Sequence, residues 1–471
     1  MKNFLRTKKL LAITLSLMLL VIASSCTKNN ENTPNSEVTA TNVNWEFYNE
    51  RAEAFVVAMA DDDFDTAAAM FNEAMAQGLG VSELQDFWSQ INVRAGVFVN
   101  VHEIENAMTD GHYRCFITSR HESSGVVLRV TFSEDGLIAG LFVDDYTTIA
   151  DEENPSTIIQ REGFTDFPVV IGEETDFPLD GILSIPDNVT GKIPAVVIVH
   201  GSGAHDMDGT LLANKPYRDI AEYLASNGIA SIRYNKRTLT HGAKVDGSWT
   251  VREETIEDAI LATEILKADP RIDENRIFIT GHSMGGMLAP RIHAEGGNYA
   301  GLILLAGSPR FLLDISKDQN IAEISDTFEG DEKEAALTQI EELWDLQVDG
   351  LVSLPDDTAK NTPVPGWGVS AFYFKDLYEH PASAYIGNIT VPFLVLQGSN
   401  DVQIFADVDF MMYQELLEGH PNATFKLYED LNHMFMPSTI KSITERMDEY
   451  AIESQVDRQV LVDIVEWIKM H

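Results

Sequence analysis

Cysteine is almost absent from this chain: two among 471 residues, Cys26 and Cys115. So few thiols exclude a disulfide framework, and neither lies beside a histidine in a metal-ligand spacing, which excludes a thiolate zinc site. Positive charge is also scarce, with 33 Lys and Arg against 74 Asp and Glu and a formal charge of −41. An acid excess of this size argues against a fold that grips nucleic acid or an anionic membrane surface. It favours a soluble, self-repelling particle that uncharged substrates approach most easily. Long apolar runs are missing as well. The longest, "LLAITLSLMLLVIA", has 14 residues, short of the roughly 20 that a membrane-spanning helix needs. The chain must therefore be stabilised by its core, and at 44% apolar residues it can bury one.

That apolar run follows "MKNFLRTKK", which carries four basic residues and no acid, and it precedes Ser24, Ser25 and Cys26. A basic segment, a short apolar core and small residues make residues 1–25 a signal peptide. Small residues directly before Cys26 resemble the bacterial lipoprotein signal, although Ala23 stands where that signal usually has Leu. The resemblance implies cleavage before Cys26 and a diacylglycerol on its thiol, so that the membrane is met through the lipid anchor only. Ordinary secretion after Ala23 or Ser25 is the alternative. Either way the protein is expected to be exported, to the cell envelope if lipidated. Residues 26–42, polar and nearly free of large apolar groups, read as a tether.

Residues 43–150 form a first unit. Apolar spacings of three and four predict two helices parted at Asp61–Asp63, then a helix over "VSELQDFWSQI" with Ser82 as a possible N-cap. The period then changes to two in "GVFVNVHEI", "HYRCFITSR", "GVVLRVTF" and "LIAGLFVDD", predicting strands joined by Gly-containing turns. Cys115 falls in one of these as a small core residue. Helices followed by an antiparallel sheet give an α+β unit. It resembles the small cone-shaped domain, related to nuclear transport factors and ketosteroid isomerase, that precedes hydrolase domains in some secreted proteins. His102, His112 and His121 join no recognisable acid–base pair, so a structural or docking role is expected.

After a linker over residues 151–163, strands and helices alternate over residues 164–471. "IPAVVIVHG" is a continuous apolar run, as a doubly buried parallel strand should be. "YRDIAEYLASNG" and "VREETIEDAILATEILKAD" read as helices, the second with acids in its first turns. "IASIRYN", "RIFITG", "YAGLILLAG", "VPFLVLQG" and "ATFKLYED" read as further strands, and a last helix closes the chain. The fold class is α/β, with a doubly wound, mostly parallel sheet. Residues 310–385 break the alternation and are read as a helical cap inserted over the sheet's C-terminal edge.

One strand runs into "GHSMGG", a Gly-x-Ser-x-Gly turn followed by a helical pattern. The turn would lift Ser283 above the sheet in a strained conformation, with Gly281 and Gly285 where a Cβ would collide and Gly286 letting the helix approach. A serine hydroxyl needs a base to become nucleophilic. His433, in "LNHMF" just past the last strand, can supply one, whereas His420 lies at the wrong edge and His380 in the cap. The base needs an orienting acid, and Asp401 follows a strand and turn in "LQGSNDVQI"; Asp407 and Asp409 fall in the helix beyond. Upstream, "HGSG" offers backbone N–H groups for a developing oxyanion. Ser202 is the expected donor ahead of Gly203 and Ala204, together with Met284 directly after the nucleophile.

Residues from about 165 to 471 resemble serine α/β-hydrolases of the esterase and dienelactone-hydrolase type. "HGSGAHDMDG", "GHSMGG", "GSNDVQI" and "NHMF" match that group's oxyanion loop, elbow, acid turn and histidine loop. The resemblance implies the α/β-hydrolase fold, a Ser283–Asp401–His433 triad, a small-molecule ester substrate, with carbohydrate esters inside that class, and no metal or cofactor. The group often has "YDKRG" after the oxyanion loop. Here it is "YNKRT", which leaves the triad untouched and puts a binding role for that loop in doubt; Arg237 is expected to be a surface ion-pairing residue, with a substrate contact as the alternative. A prolyl-oligopeptidase-like peptidase is the rival enzyme reading, since "GHSMGG" is close to that group's motif, but no propeller precedes the hydrolase part. A non-catalytic binding lipoprotein is the other rival, and the intact set of site residues argues against it. Oligomeric state is not legible in the sequence.

Overall fold

The computed structural model describes residues 43–109, 112–121, 125–133, 135–147, 158–364 and 367–471. The segments read as a signal peptide and a tether, Cys26 and most of the expected linker lie outside the described residues.

The first unit packs helices against a four-stranded antiparallel sheet, β1 (Phe98–Thr109), β2 (His112–His121), β3 (Gly125–Phe132) and β4 (Ile138–Thr147), in that spatial order. The helices Trp45–Ala60 and Phe64–Ala68 part at Asp61–Asp63, and Asp63 caps the second by accepting from the Thr66 N–H. Ser82 is not an N-cap: the helix Val81–Ala95 starts one residue earlier and Gly80 holds the cap position. The second expected helix, over "FDTAAAMFNEAM", is interrupted after Ala68 and resumes as a short helix over Glu73–Gly78. Cys115 is fully buried in this core, and burial pushes its thiol pKa up to about 12, as suits a packing residue. His121 is buried too, between Trp88 and Phe98.

The second unit is built on nine strands: β5 (Ile159–Gln160), β6 (Phe164–Ile171), β7 (Leu179–Pro186), β8 (Ile193–Val199), β9 (Ala230–Tyr234), β10 (Ile272–His282), β11 (Leu302–Leu305), β14 (Phe393–Gly398) and β15 (Ala423–Tyr428). Their spatial order is β15-β14-β11-β10-β8-β9-β7-β6-β5. Pairs from β15 to β9 are parallel, and β7, β6 and β5 add an antiparallel edge. Within that edge β6 escapes the sequence, because "FTDFPVVI" carries a proline and no clean alternation, whereas β7 falls on the extended stretch "DGILSIP". Every residue of β8 is buried. Its alternate side chains enter two separate cores, Ala195, Val197 and Val199 on one face and Val196 and Ile198 on the other, which is why it reads as an unbroken apolar run.

Two features of this order position a site. The chain leaves β8, forms β9 on one side of it, and returns to form β10 on the other. The segments that follow β8 and β10 therefore leave toward opposite faces of the sheet, the helix Pro216–Ser226 packing into one core and the helix Met284–Ile292 into the other, the kind of switch point where such sheets usually bind ligands. Residues 310–385, read as a cap, lie between β11 and β14 and carry helices Leu312–Thr327, Gly330–Val352, Asp356–Lys360 and Ala371–Glu379 and a small hairpin, β12 (Pro363–Val364) and β13 (Val369–Ser370).

Arg237 corrects an expectation. It is 3% exposed, donating to Asp258 through Nε and Nη2 and to Glu257 through Nη1. The rings of Phe177 and Trp249 lie 5.0 and 5.7 Å from its guanidinium carbon. The acids after Val251 thus serve as internal partners more than as a complement to the helix dipole. Removing one member of a buried ion pair leaves the other without compensation. Arg237→Leu should lower the unfolding free energy by about 3 kcal/mol or more, measured by urea denaturation.

Candidate active site

The elbow is as the sequence implies. β10 ends at His282, Ser283 adopts φ 55° and ψ −118°, and the helix Met284–Ile292 begins directly after it. A non-glycine residue in this region is strained, and the strain is held by packing on both sides. A Cβ on Gly281 would lie 2.2 Å from the Gly285 carbonyl oxygen, and one on Gly285 2.6 Å from those of Val199 and His200. The Ser283 N–H donates to the Leu305 carbonyl at 2.8 Å.

Asp401 and His433 meet. The acid follows β14 and the histidine follows β15, and His433 Nδ1–H donates to Asp401 Oδ2 at 2.7 Å. Both side chains are buried. The rest of the carboxylate is also occupied: Oδ1 accepts the N–H groups of Gln403 and Ile404 at 2.8 and 2.9 Å, and Oδ2 accepts Gln397 Nε2 at 2.9 Å. Four donors fix the carboxylate plane, and with it the tautomer that leaves His433 Nε2 free to accept. Among the described residues no hydrogen bond joins Ser283 Oγ to His433, a contact that often tightens only once substrate binds.

The alternatives lie apart from this pair. Asp409 accepts from Ser308 Oγ, Arg310 and the Phe405 N–H, and Asp407 is exposed. His420 bonds the Ile389 carbonyl, and His380 bonds Tyr385 in the cap.

The loop after β8 lies against the elbow. Val199 pairs with Gly281, which places Gly201 level with Ser283, and a Cβ on Gly201 would lie 3.1 Å from the Ser283 Cβ. The Gly201 N–H is already committed to Tyr217 Oη at 3.2 Å. The Ser202 carbonyl accepts from His205 Nε2 at 2.7 Å, and the Ser202 N–H has no partner among the described residues. Met284 is the first residue of its helix, where N–H groups lack intrahelical acceptors.

Sequence reasoning missed the residues that hold these loops. Tyr217 Oη accepts from Gly201 and donates to His282 Nδ1 at 3.2 Å, and His282 Nε2–H donates to the His433 carbonyl at 2.9 Å. Each donor in this chain meets one acceptor if His282 is neutral with its proton on Nε2. Burial, and then the neighbouring His433, hold its pKa well below 6.5. The "YNKRT" segment grips the same loop: Asn235 Oδ1 accepts the Met207 N–H, the Lys236 N–H donates to the His205 carbonyl, and Lys236 Nζ donates to the Gly201 carbonyl. The sequence displayed both motifs, but not that their side chains turn inward.

This sheet order with a strand–serine–helix elbow is the architecture of a serine α/β-hydrolase. The chain belongs to that family of esterases: it is 30% identical over 425 residues to Esterase EstD from Thermotoga maritima, an alignment covering 89% of this chain and 95% of that one. The family model described as serine aminopeptidase, S33 matches residues 192–327, and one described as a protein of unknown function matches residues 52–141. Among solved structures, Est1E from Butyrivibrio proteoclasticus aligns at 16% identity and TM-score 0.40, covering 64% of this chain and 96% of that one. The Pyrococcus furiosus esterase Pf2001 aligns at 16% identity and TM-score 0.41, covering 68% and 95%.

Two measurements test the hydrogen-bonded chain. Tyr217→Phe orphans the buried Gly201 N–H and should lower the unfolding free energy by about 1–3 kcal/mol. For His282 the folded pKa is depressed, so the stability it gives is fully present above its unfolded value of about 6.5 and is lost as pH falls below that. His282→Gln removes this loss. The stability advantage of the wild type over the variant should therefore shrink between about pH 8 and about pH 5, read from urea unfolding at each pH.

Proposed function

We propose that this protein hydrolyses carboxylic esters of small or medium acyl groups through an acyl-enzyme on Ser283. The observation that carries the proposal is the buried Asp401–His433 hydrogen bond of 2.7 Å on the loops neighbouring a strained serine elbow. In this reading His433 Nε2 takes the Ser283 proton as Oγ attacks the ester carbonyl. Asp401 keeps the proton on Nδ1 and stabilises the imidazolium that forms. The N–H groups of Ser202 and Met284 accommodate the oxyanion. His433 then protonates the departing alcohol, and water repeats the sequence to release the acid. These steps are carried by side chains and backbone alone. Esterase is also what the curated relative from Thermotoga maritima is called.

A peptidase is the second reading, favoured by the description of the family model matching residues 192–327. The chemistry would be the same with an amine as leaving group, so substrate rather than mechanism separates the two. We also propose, on the signal-like segment ending at Cys26, that the protein is exported and held to the membrane by a lipid on that cysteine.

Purified protein starting after Cys26 should cleave nitrophenyl esters of short acyl chains faster than aminoacyl nitroanilides. Ser283→Ala should lower ester turnover by roughly 10⁴-fold or more. Turnover that survives in the alanine variant would sink the mechanism, and nitroanilide cleavage without ester cleavage would favour the peptidase. For the anchor, Cys26→Ala expressed with its leader should fail to incorporate a radiolabelled fatty acid that the wild type incorporates.

A further inference from the structure

Resting on the ester-hydrolase reading, we propose that Lys236 is a positioning residue for the oxyanion hole, setting and polarising the one peptide unit that carries the Ser202 N–H. Lys236 is 1% exposed, and its ammonium makes two contacts. One is to Glu254 Oε1 at 2.7 Å, the other to the Gly201 carbonyl oxygen at 2.7 Å. That carbonyl and the Ser202 N–H belong to the same amide. A peptide unit is planar and trans, so its C=O and N–H point in opposite directions. Fixing the carbonyl on Lys236 therefore aims the N–H the other way. A cation on the carbonyl also draws electron density from the nitrogen and makes the N–H a stronger donor in a low-dielectric site.

The preceding peptide is fixed as well. The Gly201 N–H is held by Tyr217 Oη, so the two bonds of Gly201 that could rotate the amide are restrained from both sides. The Lys236 backbone contributes again, its N–H donating to the His205 carbonyl, while the His205 side chain holds the Ser202 carbonyl. Glu254 is in turn shared with the cap: Tyr373, on the helix Ala371–Glu379, donates to Glu254 Oε2 at 2.5 Å. The same hydroxyl lies 3.4 Å from the sulfur of Met284, whose backbone N–H is the other oxyanion donor. A buried line Gly201–Lys236–Glu254–Tyr373–Met284 thus joins the Gly201–Ser202 amide and the Met284 side chain to one cap helix. No member of it except Met284 belongs to the catalytic set, and no substrate need touch Lys236.

The experiment compares the wild type with Lys236→Met in protein starting after Cys26, on a short-chain nitrophenyl ester, together with inhibition by an aryl trifluoromethyl ketone. The ketone adds Ser283 Oγ to its carbonyl and places a negative oxygen in the oxyanion hole, whereas the ester ground state does not. The expected result is a fall in kcat of about 10- to 100-fold with KM within about threefold, and ketone affinity weakened by the same factor as kcat/KM. A purely structural role would lower the unfolding midpoint without that parallel, so the assay is run well below the midpoint of each variant. Should Lys236→Met not fold, Lys236→Met/Glu254→Gln leaves no lone buried charge and carries the same comparison. A folded variant with kcat near wild type, or with unchanged ketone affinity, overturns the assignment to Lys236 while wild-type turnover leaves the esterase reading standing. Wild-type protein without ester turnover would instead remove the esterase reading, and this inference with it.

Discussion

One backbone pairing governs the site: β8 lies beside β10, parallel, with Val199 opposite Gly281. Two residues further on each chain stand Gly201 and Ser283, so the register alone sets the loop and the elbow at one level. A slip of one residue would turn every side chain of the strand to the opposite face. β8 resists it because both of its faces are buried in separate cores. The elbow completes the constraint, since its helix starts so close to the carbonyls of Val199 and His200 that Gly285 has room for no side chain. Strain at Ser283 is thus stored in a strand pair that has no freedom to relax it.

Polar contacts then convert this frame into fixed loops. Loops are ordinarily the mobile part of a fold, yet those after β8, β10 and β15 share one hydrogen-bonded chain from the Gly201 N–H through Tyr217 and His282 to the His433 carbonyl. Every group in the chain is buried, so a half-satisfied arrangement would be more costly than an apolar one. That is a reason for the site to have a single geometry. Asp401 follows the same logic, with donors on both carboxylate oxygens, so His433 is oriented by a group that itself has no room to turn.

The elements and their class were legible in the sequence wherever a period or an apolar run was strong: β8, β10, β14, the closing helix, and the break between helices at Asp61–Asp63. Ser283, Asp401 and His433 could be singled out because each follows a strand, and strand ends are visible from apolar runs bounded by glycine. The antiparallel edge formed by β6 was not legible, because a proline-containing strand on a sheet edge has neither signal. Tyr217, His282 and Lys236 were unreadable for a different reason. Their importance depends on contacts across 16 to 151 residues of chain, and local pattern carries no information about which side of a turn a polar side chain enters. Arg237 shows the same limit: an arginine after a strand looks exposed unless Asp258 and Glu257 are known to be folded against it.

The scarcity of cations gives these inward contacts a further meaning. In a chain with 33 basic and 74 acidic residues, any buried cation has acids to spare as partners. Arg237, Arg291 and Arg310 are each bridged by two carboxylates. Arg233 binds Asp208 at 2.9 Å with Asp166 at 4.0 Å. A planar guanidinium with several donors suits such double pairing. Lys236 differs from these four in having one directly bonded carboxylate, Glu254, with Asp258 acting on it only at longer range, and a peptide carbonyl in the place of the second. A compact ammonium aimed at that carbonyl leaves more positive charge on the Gly201–Ser202 amide than a doubly neutralised arginine could. The one cation of this group that spends a direct contact on a peptide carbonyl is therefore the one that touches the loop where negative charge would develop.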